Sequence, residues 1–340
     1  MARIALDAMG GDHAPRAPIA GALLALAELG SAHSIQLVGQ RDVIESQLET
    51  LLAGELAHLR AGRERLTIVD APEVIEMGEK PIAAIRGKPN SSMVIGLKLQ
   101  AGGESDAFVS AGNTGAQMAA STVMLRLHGG LTRPAIGTIF PTALNPVIIL
   151  DAGANVDCSA EELVQFARLG SVYAEDILGR QKPGVGLLSI GEEAEKGNQA
   201  VLKAHKLLKE TDLHFLGNVE GRDILAGTSH RGAVDVVVCD GFVGNVLLKF
   251  YESVPKLICD LMERAGIEQP LIARALQGFD YSDYGGAPLL GVKGISIISH
   301  GKSSPRAIKN AIGVARRAVE SGMNEHIGRR IADSIPEEPS

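Results

Sequence analysis

Short apolar runs alternate with segments of helical periodicity along most of this 340-residue chain. The runs are rich in Val, Ile and Leu and too short for helices, so they predict β-strands. They lie at residues 4–6, 35–38, 66–69, 107–109, 147–150, 185–188, 214–216, 234–238 and 295–298. Helices are predicted at residues 93–100 and 160–178, and from Ala116 and Val246 onward. We expect Asp12 to cap the first helix, with Pro15 or Pro18 in its first turn.

Strands that alternate with helices predict an α/β fold with a largely parallel central sheet and helices in layers on its faces. The chain shows no internal repeat and no low-complexity linker. We therefore predict a single continuous domain over residues 1–335, in which an organisation as two lobes stays open. The tail at residues 336–340 is expected to be flexible.

Most of the predicted strands end in loops that contain more Gly, Asn, Asp and Ser than turns alone require. Ligands of parallel sheets bind outside the carboxyl ends of the strands. In the loop at residues 110–115, the free N–H groups of the following helical turn favour an anion. The candidate ligands of this anion are Ser110, Gly112, Asn113, Thr114 and Gly115. Because similar loops follow the other strands, we expect them all to lie at one edge of one sheet.

Further polar residues follow other predicted strands, and each has a structural interpretation beside the functional one. Lys196 stands in a glycine-bounded loop and offers a cation for a phosphate charge, or it is a solvated surface charge beside three glutamates. Asn245 offers an amide donor at the head of a helix, or it is only a helix cap. The supporting candidates, which would catalyse or only order their loops, are Asp7, His13, Asp151, Asn155 and Asp240.

The composition excludes several classes of protein. A net charge of −7 and the absence of Trp argue against a nucleic-acid binder. Three widely spaced cysteines exclude a disulfide framework and a zinc motif of CxxC type. No signal-peptide pattern opens the chain, and its longest apolar stretch, at residues 19–29, is too short for a bilayer. We therefore expect a cytoplasmic protein.

Several phosphate and catalytic motifs are nearly matched and fail. His300-Gly301-Lys302-Ser303 resembles the end of a P-loop, but Ser296 occupies the position of the required upstream glycine. Residues 184–186 lack the third glycine of a dinucleotide fingerprint and precede a strand instead of following one. Neither a GxSxG nor an HExxH motif is present. The remaining glycine-amide loops favour a small anion over a nucleotide.

Seven segments resemble the PlsX family, the bacterial acyl-ACP:phosphate acyltransferases. They are LDAMGGDHAP (6–15), SAGNTGA (110–116), LDAGANVDC (150–158), IGEEAEKGN (190–198), GNVEGRD (217–223), VDVVVCDGFVGNVLLK (234–249) and YGGAPLLG (284–291). The resemblance covers residues 4 to about 320 in the order of the family. It implies a fold like those of isopropylmalate dehydrogenase and phosphotransacetylase, and reversible acyl transfer from acyl-carrier protein to inorganic phosphate.

The resemblance also implies partners and site residues. It points to Lys196 and Asn245 as catalytic, and to a homodimer that needs no metal, nucleotide or other cofactor. The product, acyl phosphate, would serve a membrane-bound glycerol-3-phosphate acyltransferase in phospholipid synthesis. Family members associate peripherally with the inner face of the membrane through a helical tip, which corresponds here to residues 251–283. The apolar residues of this stretch, which include Phe279, would alternatively form a dimer interface.

Two alternatives of other classes stay open on the sequence alone. The related fold suggests an NAD-dependent decarboxylating dehydrogenase, which the missing nucleotide fingerprint and the lack of an obvious aspartate metal cluster disfavour. A regulator that only binds phosphate or an acyl chain is the non-catalytic alternative, and the fold alone does not separate it from an enzyme. Because carrier proteins are acidic, an acidic enzyme needs a local basic patch to bind one. The candidates are Lys203, Lys206 and Lys209, or Arg306, Lys309, Arg316 and Arg317, and each set has a solvated helix face as its alternative.

Overall fold

A computed structural model describes residues 1–276 and 284–333. The strands are β1 (Arg3–Asp7), β2 (Ser34–Gly39), β3 (Leu66–Asp70), β4 (Ala107–Ser110), β5 (Ala135–Ile136), β6 (Thr138–Phe140), β7 (Val147–Leu150), β8 (Val185–Leu188), β9 (Phe215–Val219), β10 (Thr228–Ser229), β11 (Gly232–Ala233), β12 (Val236–Val238), β13 (Ala287–Leu290) and β14 (Ser296–Ile298). The predicted tip residue Phe279 and the predicted tail at residues 336–340 lie outside the described residues.

Helices follow most of these strands. They are α1 (Arg16–Glu28), α2 (Arg41–Ala53), α3 (Pro81–Gly87), α4 (Ser92–Ala101), α5 (Thr114–Leu125), α6 (Ala160–Asp176), α7 (Gln199–Lys209), α8 (Gly221–Ala226), α9 (Gly241–Arg264), α10 (Gln269–Ala275), α11 (Pro305–Glu320) and α12 (Met323–Ala332), with a 3-10 helix at Ala57–Arg65. In the part of the chain described here, no helix is long and apolar enough to cross a membrane.

The chain divides into two compact units, of which unit 1 contains residues 1–129 and 284–329. Six of its strands are ordered β3-β2-β1-β4-β14-β13, and all neighbours are parallel except β13 and β14. β4 is buried at every position, which suits a central strand covered on both faces. Helices α4 and α11 both pack on β4. A Cβ at Gly21 of α1 would lie 2.6 Å from the Cβ of Ile308, so glycine permits close packing of α1 on α11.

Unit 2 contains residues 130–276 and 330–333 of the described chain. Its sheet has the order β6-β7-β12-β8-β9, in which only the β6–β7 pair is antiparallel. Strands β7 and β12 are buried throughout, and α6 packs on both of them. The loops that follow the neighbouring parallel strands β7, β12 and β8 therefore leave the sheet at the same edge.

The predicted α/β class with largely parallel strands is confirmed, but several local predictions are wrong. The candidate loops follow strands of two separate sheets, not one. Pro15, not Asp12, is the N-cap residue of α1, and no side chain caps this helix. Helix α5 begins at Thr114 instead of Ala116, and α9 begins at Gly241 instead of Val246. Strand β9 extends beyond residue 216 to Val219, so Asn218 lies in a strand and not in a loop.

Candidate active site

The loop after β4 in unit 1 is held by its own polar groups. The Ser110 hydroxyl donates to Asp7 Oδ2 at 2.7 Å and accepts a bond of 3.0 Å from the N–H of Gly112. Ser110 is fully buried. A Cβ at Gly10 would lie 2.7 Å from Asp7 Oδ2 and 2.8 Å from the Gly112 nitrogen. Glycine at position 10 therefore lets the loop after β1 lie directly against the loop after β4.

Asn113 uses its whole side chain to fix this loop. Its Oδ1 accepts from the N–H of Ala116 at 3.0 Å and so caps α5. Its Nδ2 donates to the carbonyl oxygens of Met77 and Glu79 at 3.0 and 2.9 Å, with a longer contact of 3.3 Å to that of Glu76. Its amide thus stabilises the start of the helix and the segment before α3.

The first turn of α5 is the part of this loop that keeps unused donors. Within the described residues, the N–H groups of Thr114 and Gly115 and the hydroxyl of Thr114 have no hydrogen-bond partner. Thr114 is exposed, and a Cβ at Gly115 would lie 2.7 Å from Pro81 Cγ, so the backbone there is close to α3. Two N–H groups at a helix N-terminus suit an anion. The anion prediction for this loop thus depends on Thr114 and Gly115.

Asp7 is a buried carboxylate that orders the loop it begins. Its Oδ1 accepts from the N–H of Met9 at 3.0 Å, and its Oδ2 accepts from Ser110. Burial raises the pKa of the Asp7 carboxyl above its ordinary value, although the hydrogen bonds from Ser92, Ser110, Met9 and Gly10 oppose this shift. His13 lies further along the same loop. It is exposed, and its ring has no partner among the residues described.

The loop after β7 in unit 2 is built on the same plan around Asp151. Its Oδ1 accepts from the N–H groups of Ile136, Gly153 and Ala154 at 3.0–3.1 Å. Its Oδ2 accepts from the backbone and side-chain nitrogens of Asn155 at 2.7 and 2.8 Å. Burial raises the pKa of Asp151, and these hydrogen bonds oppose the shift. Both Asp151 and Asn155 therefore order the loop.

The start of α9 packs on this Asp151 loop. Asp240 caps the helix by accepting from the N–H of Val243 at 2.8 Å, and the N–H of Gly241 donates to the carbonyl of Asn155 at 2.7 Å. A Cβ at Gly244 would lie 1.8 Å from the Asp151 carbonyl oxygen, so no side chain fits there. This close packing fixes the first turns of α9 against the loop.

Asn245 lies in the second turn of α9 and therefore does not cap it. It is exposed, and its amide has no hydrogen-bond partner in the described part of the chain. A Cβ at Gly153, where φ is +132°, would lie 3.4 Å from Asn245 Cβ and 3.5 Å from its Oδ1. Glycine at position 153 adopts a conformation that other residues rarely reach and leaves the Asn245 amide uncovered.

Lys196 stands in the loop after β8, which is the neighbour of β12 and ends at the same edge of the unit 2 sheet. Its side chain is exposed and forms no hydrogen bond or ion pair with any described residue. Glu192, by contrast, pairs with Arg222 at 2.9 Å and with His230 at 3.1 Å. The lysine is thus not neutralised by this neighbouring carboxylate, which suits a cation that binds an anionic group.

The cysteines lie in surroundings that do not favour a nucleophile. Burial raises the pKa of the Cys158 thiol to about 12, and it raises that of Cys239 well above its ordinary value. A thiol in this state is inert, because the thiolate is the nucleophile. Nearby carboxylates add to the shift at both positions, among them Asp151 and Asp240.

Two buried residues beside the loop that contains Lys196 are absent from the candidates that the sequence gives. Asn218 of β9 donates to backbone carbonyls of that loop, and His205 of α7 contacts the Asn218 amide oxygen at 2.9 Å. The only signal in the sequence was an amide close to a predicted strand end. Because the apolar run ends at residue 216, two residues before Asn218, the sequence does not indicate that Asn218 is buried.

The fold is that of known phosphotransacetylases. A phosphotransacetylase from Streptococcus pyogenes superposes with a TM-score of 0.63 at 18% identity, covering 94% of each chain. EutD phosphotransacetylase from Staphylococcus aureus gives a TM-score of 0.59 at 16% identity, covering 93% of this chain and 94% of that one. A 4-hydroxythreonine-4-phosphate dehydrogenase from Klebsiella pneumoniae gives 0.53 at 14% identity, covering 94% and 98%. At such identities the likeness defines the fold alone.

Sequence comparison defines the family. The family model described as "Fatty acid synthesis protein" matches residues 2–326. A relative from Desulforamulus reducens named phosphate acyltransferase is 49% identical over 333 residues, covering 95% of each chain. Relatives with the same name from Heliobacterium modesticaldum and Salinibacter ruber are 48% and 49% identical, over 97% and 92% of this chain and 98% and 93% of their own. The chain belongs to this fatty acid synthesis protein family, so the predicted PlsX membership is confirmed.

Proposed function

We propose that this chain is a phosphate acyltransferase that acts on acyl-carrier protein. An oxygen of inorganic phosphate attacks the thioester carbonyl, the carbon–sulfur bond breaks, and acyl phosphate and the free carrier thiol are formed. The observation that carries the proposal is 49% identity, over 95% of both chains, to a relative named phosphate acyltransferase. The dehydrogenase and the non-catalytic regulator, which the sequence alone left open, are not favoured by this family.

Each candidate residue has a proposed role that its surroundings support. The N–H groups of Thr114 and Gly115 bind phosphate, and Ser110, Gly112 and Asn113 hold the loop in shape. In unit 2, Lys196 is proposed to supply positive charge to an anionic group of the reaction, and Asn245 to donate an uncovered amide. Loss of one oxyanion donor typically costs about 3–4 kcal/mol of transition-state stabilisation. The supporting role of Asp7, Asp151, Asn155 and Asp240 is to order the loops, and His13 is proposed as a catalytic acid or base.

The activity is tested with purified acyl-carrier-protein thioester, incubated with the protein with and without phosphate. We expect free carrier to appear only when phosphate is present, together with an acyl phosphate that hydroxylamine traps as a hydroxamate. Carrier release that does not depend on phosphate, or no release at all, would contradict the proposal.

The catalytic residues are tested by Lys196→Ala and Asn245→Ala, which should each abolish measurable turnover while the protein stays folded. Lys182→Ala and Asn145→Ala are matched controls, because these exposed residues precede β8 and β7 and so lie at the opposite edge of the same sheet. Near-wild-type rates in both site variants would remove Lys196 and Asn245 from the mechanism.

Homodimer formation and peripheral membrane association are also proposed. Helix α9 carries exposed apolar side chains along its length. They include Phe242, Val246, Phe250, Leu257 and Leu261, which we call the α9 stripe. A large exposed apolar surface is typical of a protein or membrane interface.

A further inference from the structure

The backbone of Lys196, not its side chain, fixes where this lysine lies. Its ammonium group has no described partner, so its position follows from the Lys196 loop, defined here as residues 189–198. Within that loop the N–H of Lys196 donates to the carbonyl of Glu193 at 3.1 Å and closes a turn. At the next residue Gly197 has a φ of +119°, and a Cβ there would lie 2.5 Å from Val201 Cγ1.

Both ends of this turn are bound by one buried side chain. Asn218 Nδ2 donates to the carbonyl oxygen of Glu193 at 2.7 Å and to that of Lys196 at 3.4 Å. The Ser189 hydroxyl donates to the same Lys196 carbonyl at 3.0 Å. Asn218 is only 1% exposed, so its amide exchanges no hydrogen bonds with solvent and its contacts inside the protein determine its orientation.

His205 is the hydrogen-bond partner of the Asn218 amide oxygen. With Nδ2 facing two carbonyl oxygens, Oδ1 must be the acceptor in its 2.9 Å contact with His205 Nδ1. His205 therefore carries its proton on Nδ1. Its Nε2 is buried and has no hydrogen-bond partner among the described residues. The proton on Nδ1 thus completes the hydrogen bonds of the Asn218 amide.

Packing holds the histidine ring in this place. His205 lies on α7 and is 3% exposed, and its ring meets Phe215 edge-on, with centroids 5.2 Å apart and an interplanar angle of 74°. Phe215 and Asn218 both belong to β9. Strand β9 and helix α7 therefore determine the position of the loop through one amide.

We propose that Asn218 and His205 are positioning residues that place Lys196 for catalysis. This inference rests on the proposed function and adds residues that act through Lys196 without contacting the substrate. A misplacement of about 1 Å can cost about 100-fold in rate. Removal of the Asn218 donors should therefore lower turnover even where the protein stays fully folded.

The first test is Asn218→Asp. Aspartate has the same shape as asparagine, but an oxygen replaces the Nδ2 group that donates to the two carbonyl oxygens. We expect kcat/KM for phosphate to fall by about 100-fold, with KM for the carrier thioester unchanged. Hydrogen exchange of the backbone amides in residues 189–198 should become faster, whereas exchange in the loop after β7 should not. Wild-type kcat/KM together with faster exchange would overturn the proposal.

The second test compares two changes at His205. His205→Asn keeps a donor near the Nδ1 position and should retain most activity. His205→Leu removes the donor and should lower kcat/KM, as Asn218→Asp does. A purely structural role would lower the melting temperature in both variants without this difference in activity. Equal activity of the two His205 variants would contradict a role for the hydrogen bond.

A control measures the effect of charge alone. Asn198→Asp places a carboxylate two residues from Lys196, yet Asp still accepts the 2.9 Å capping bond from the N–H of Val201. We expect a small effect, and a loss as large as that of Asn218→Asp would overturn the proposal. If the wild-type protein releases no carrier, the proposed function fails, and the exchange measurement still reports whether Asn218 orders the loop.

Discussion

Asp7 ends β1 and Asp151 follows β7, and each carboxylate accepts hydrogen bonds from N–H groups of the loop that comes next in the chain. In both loops a buried acceptor collects donors that would otherwise lack partners. The two aspartates thus shape the loops from within, while the groups left uncovered, such as the Asn245 amide and the Thr114 N–H, lie further along the chain. At the scale of single residues, the aspartates give the loops their shape, and other residues carry the groups that are free to bind a ligand.

Asp151→Asn should destabilise the fold, because the new NH₂ group must face N–H donors in either orientation. We expect the free energy of unfolding to fall by about 1–3 kcal/mol for each donor left without an acceptor. Urea denaturation measures this value. Asp157→Asn is the matched control in the same loop, since Asp157 is exposed, and its effect should stay within about 0.5 kcal/mol. Equal effects of the two variants would refute the role assigned to Asp151.

The cysteines should differ in reactivity. Burial holds Cys158 and Cys239 in the thiol form, so at pH 8 a disulfide reagent such as DTNB should react first with Cys259 of α9. Cys259→Ser should remove the fast phase.

Turnover should survive in Cys158→Ser and Cys239→Ser, because the proposed reaction forms no acyl-enzyme. A complete loss of turnover in either variant, with the fold intact, would point to a covalent intermediate.

At the scale of elements, the ion pair between Arg3 of β1 and Asp106, which directly precedes β4, provides a test of pH dependence. Partial burial would raise the pKa of Asp106, but hydrogen bonds from the side chain and N–H of Arg3 outweigh it and hold this pKa below its ordinary value. A lowered folded-state pKa means that the stabilisation is present above the unfolded-state pKa of about 4. It is lost as pH falls through the folded-state pKa.

Asp106→Asn should therefore lower the free energy of unfolding at pH 7 by about 1 kcal/mol. The difference from the wild type should shrink as the pH falls below about 4. Denaturation curves at several pH values measure it. The control is Asp42→Asn, because Asp42 is exposed and its side chain has no described partner. A difference that stays constant with pH would show that the charge of Asp106 is not the cause.

The α9 stripe leads to a prediction about association. Leu257→Glu combined with Leu261→Glu should release the protein from anionic lipid vesicles, because charges replace two exposed apolar contacts. Flotation measures binding, and light scattering measures the mass of the dimer, which we expect to persist. Lys256→Glu, at a neighbouring exposed position, controls for the change in charge. A monomer with unchanged vesicle binding would instead identify the stripe as the dimer interface.

The sequence predicted which helices and strands are present better than it predicted the residues at which they begin and end. Buried strands such as β4 and β7 were located by their apolar runs, because burial on both faces leaves an unbroken signal. The use of Asn113 as a bridge to residues 76–79 could not be predicted, since it depends on contacts that are distant in sequence. The burial of Asn218 was missed for the same reason. The division of the loops between two sheets was also missed, because periodicity reports burial and not strand order.

At the scale of the whole molecule, the net charge of −7 opposes an acidic carrier protein, so binding must depend on a local basic patch. In one candidate patch, Lys203 is already paired with Glu161, while Lys206 and Lys209 are exposed. In the other, Lys309 pairs with Glu28 and Arg316 with Glu320. Within the described residues, Lys206 and Lys209 have no partner, whereas Arg317 is the member of the α11 set without one. The patch on α7 therefore retains more unpaired charge.

Charge reversal of Lys206 and Lys209 together should raise KM for the carrier thioester and leave kcat nearly unchanged, because docking and chemistry are separate. Added salt should raise the wild-type KM in the same direction, since it screens exposed charges. Reversal of Lys309 and Arg316 is the matched comparison. If only that pair raises KM, the carrier docks on α11 instead.

The return of residues 284–329 to unit 1 has a consequence for synthesis on the ribosome. Strand β4 emerges early, but its neighbour β14 and the helix α11 that packs on α1 emerge only after all five strands of the unit 2 sheet. Unit 2 can therefore complete its sheet while the nascent unit 1 still exposes the edge of β4. A chain that ends after α10 would therefore contain every strand of the unit 2 sheet. Unit 1, whose first strands are synthesised earliest, would still lack β14 and α11.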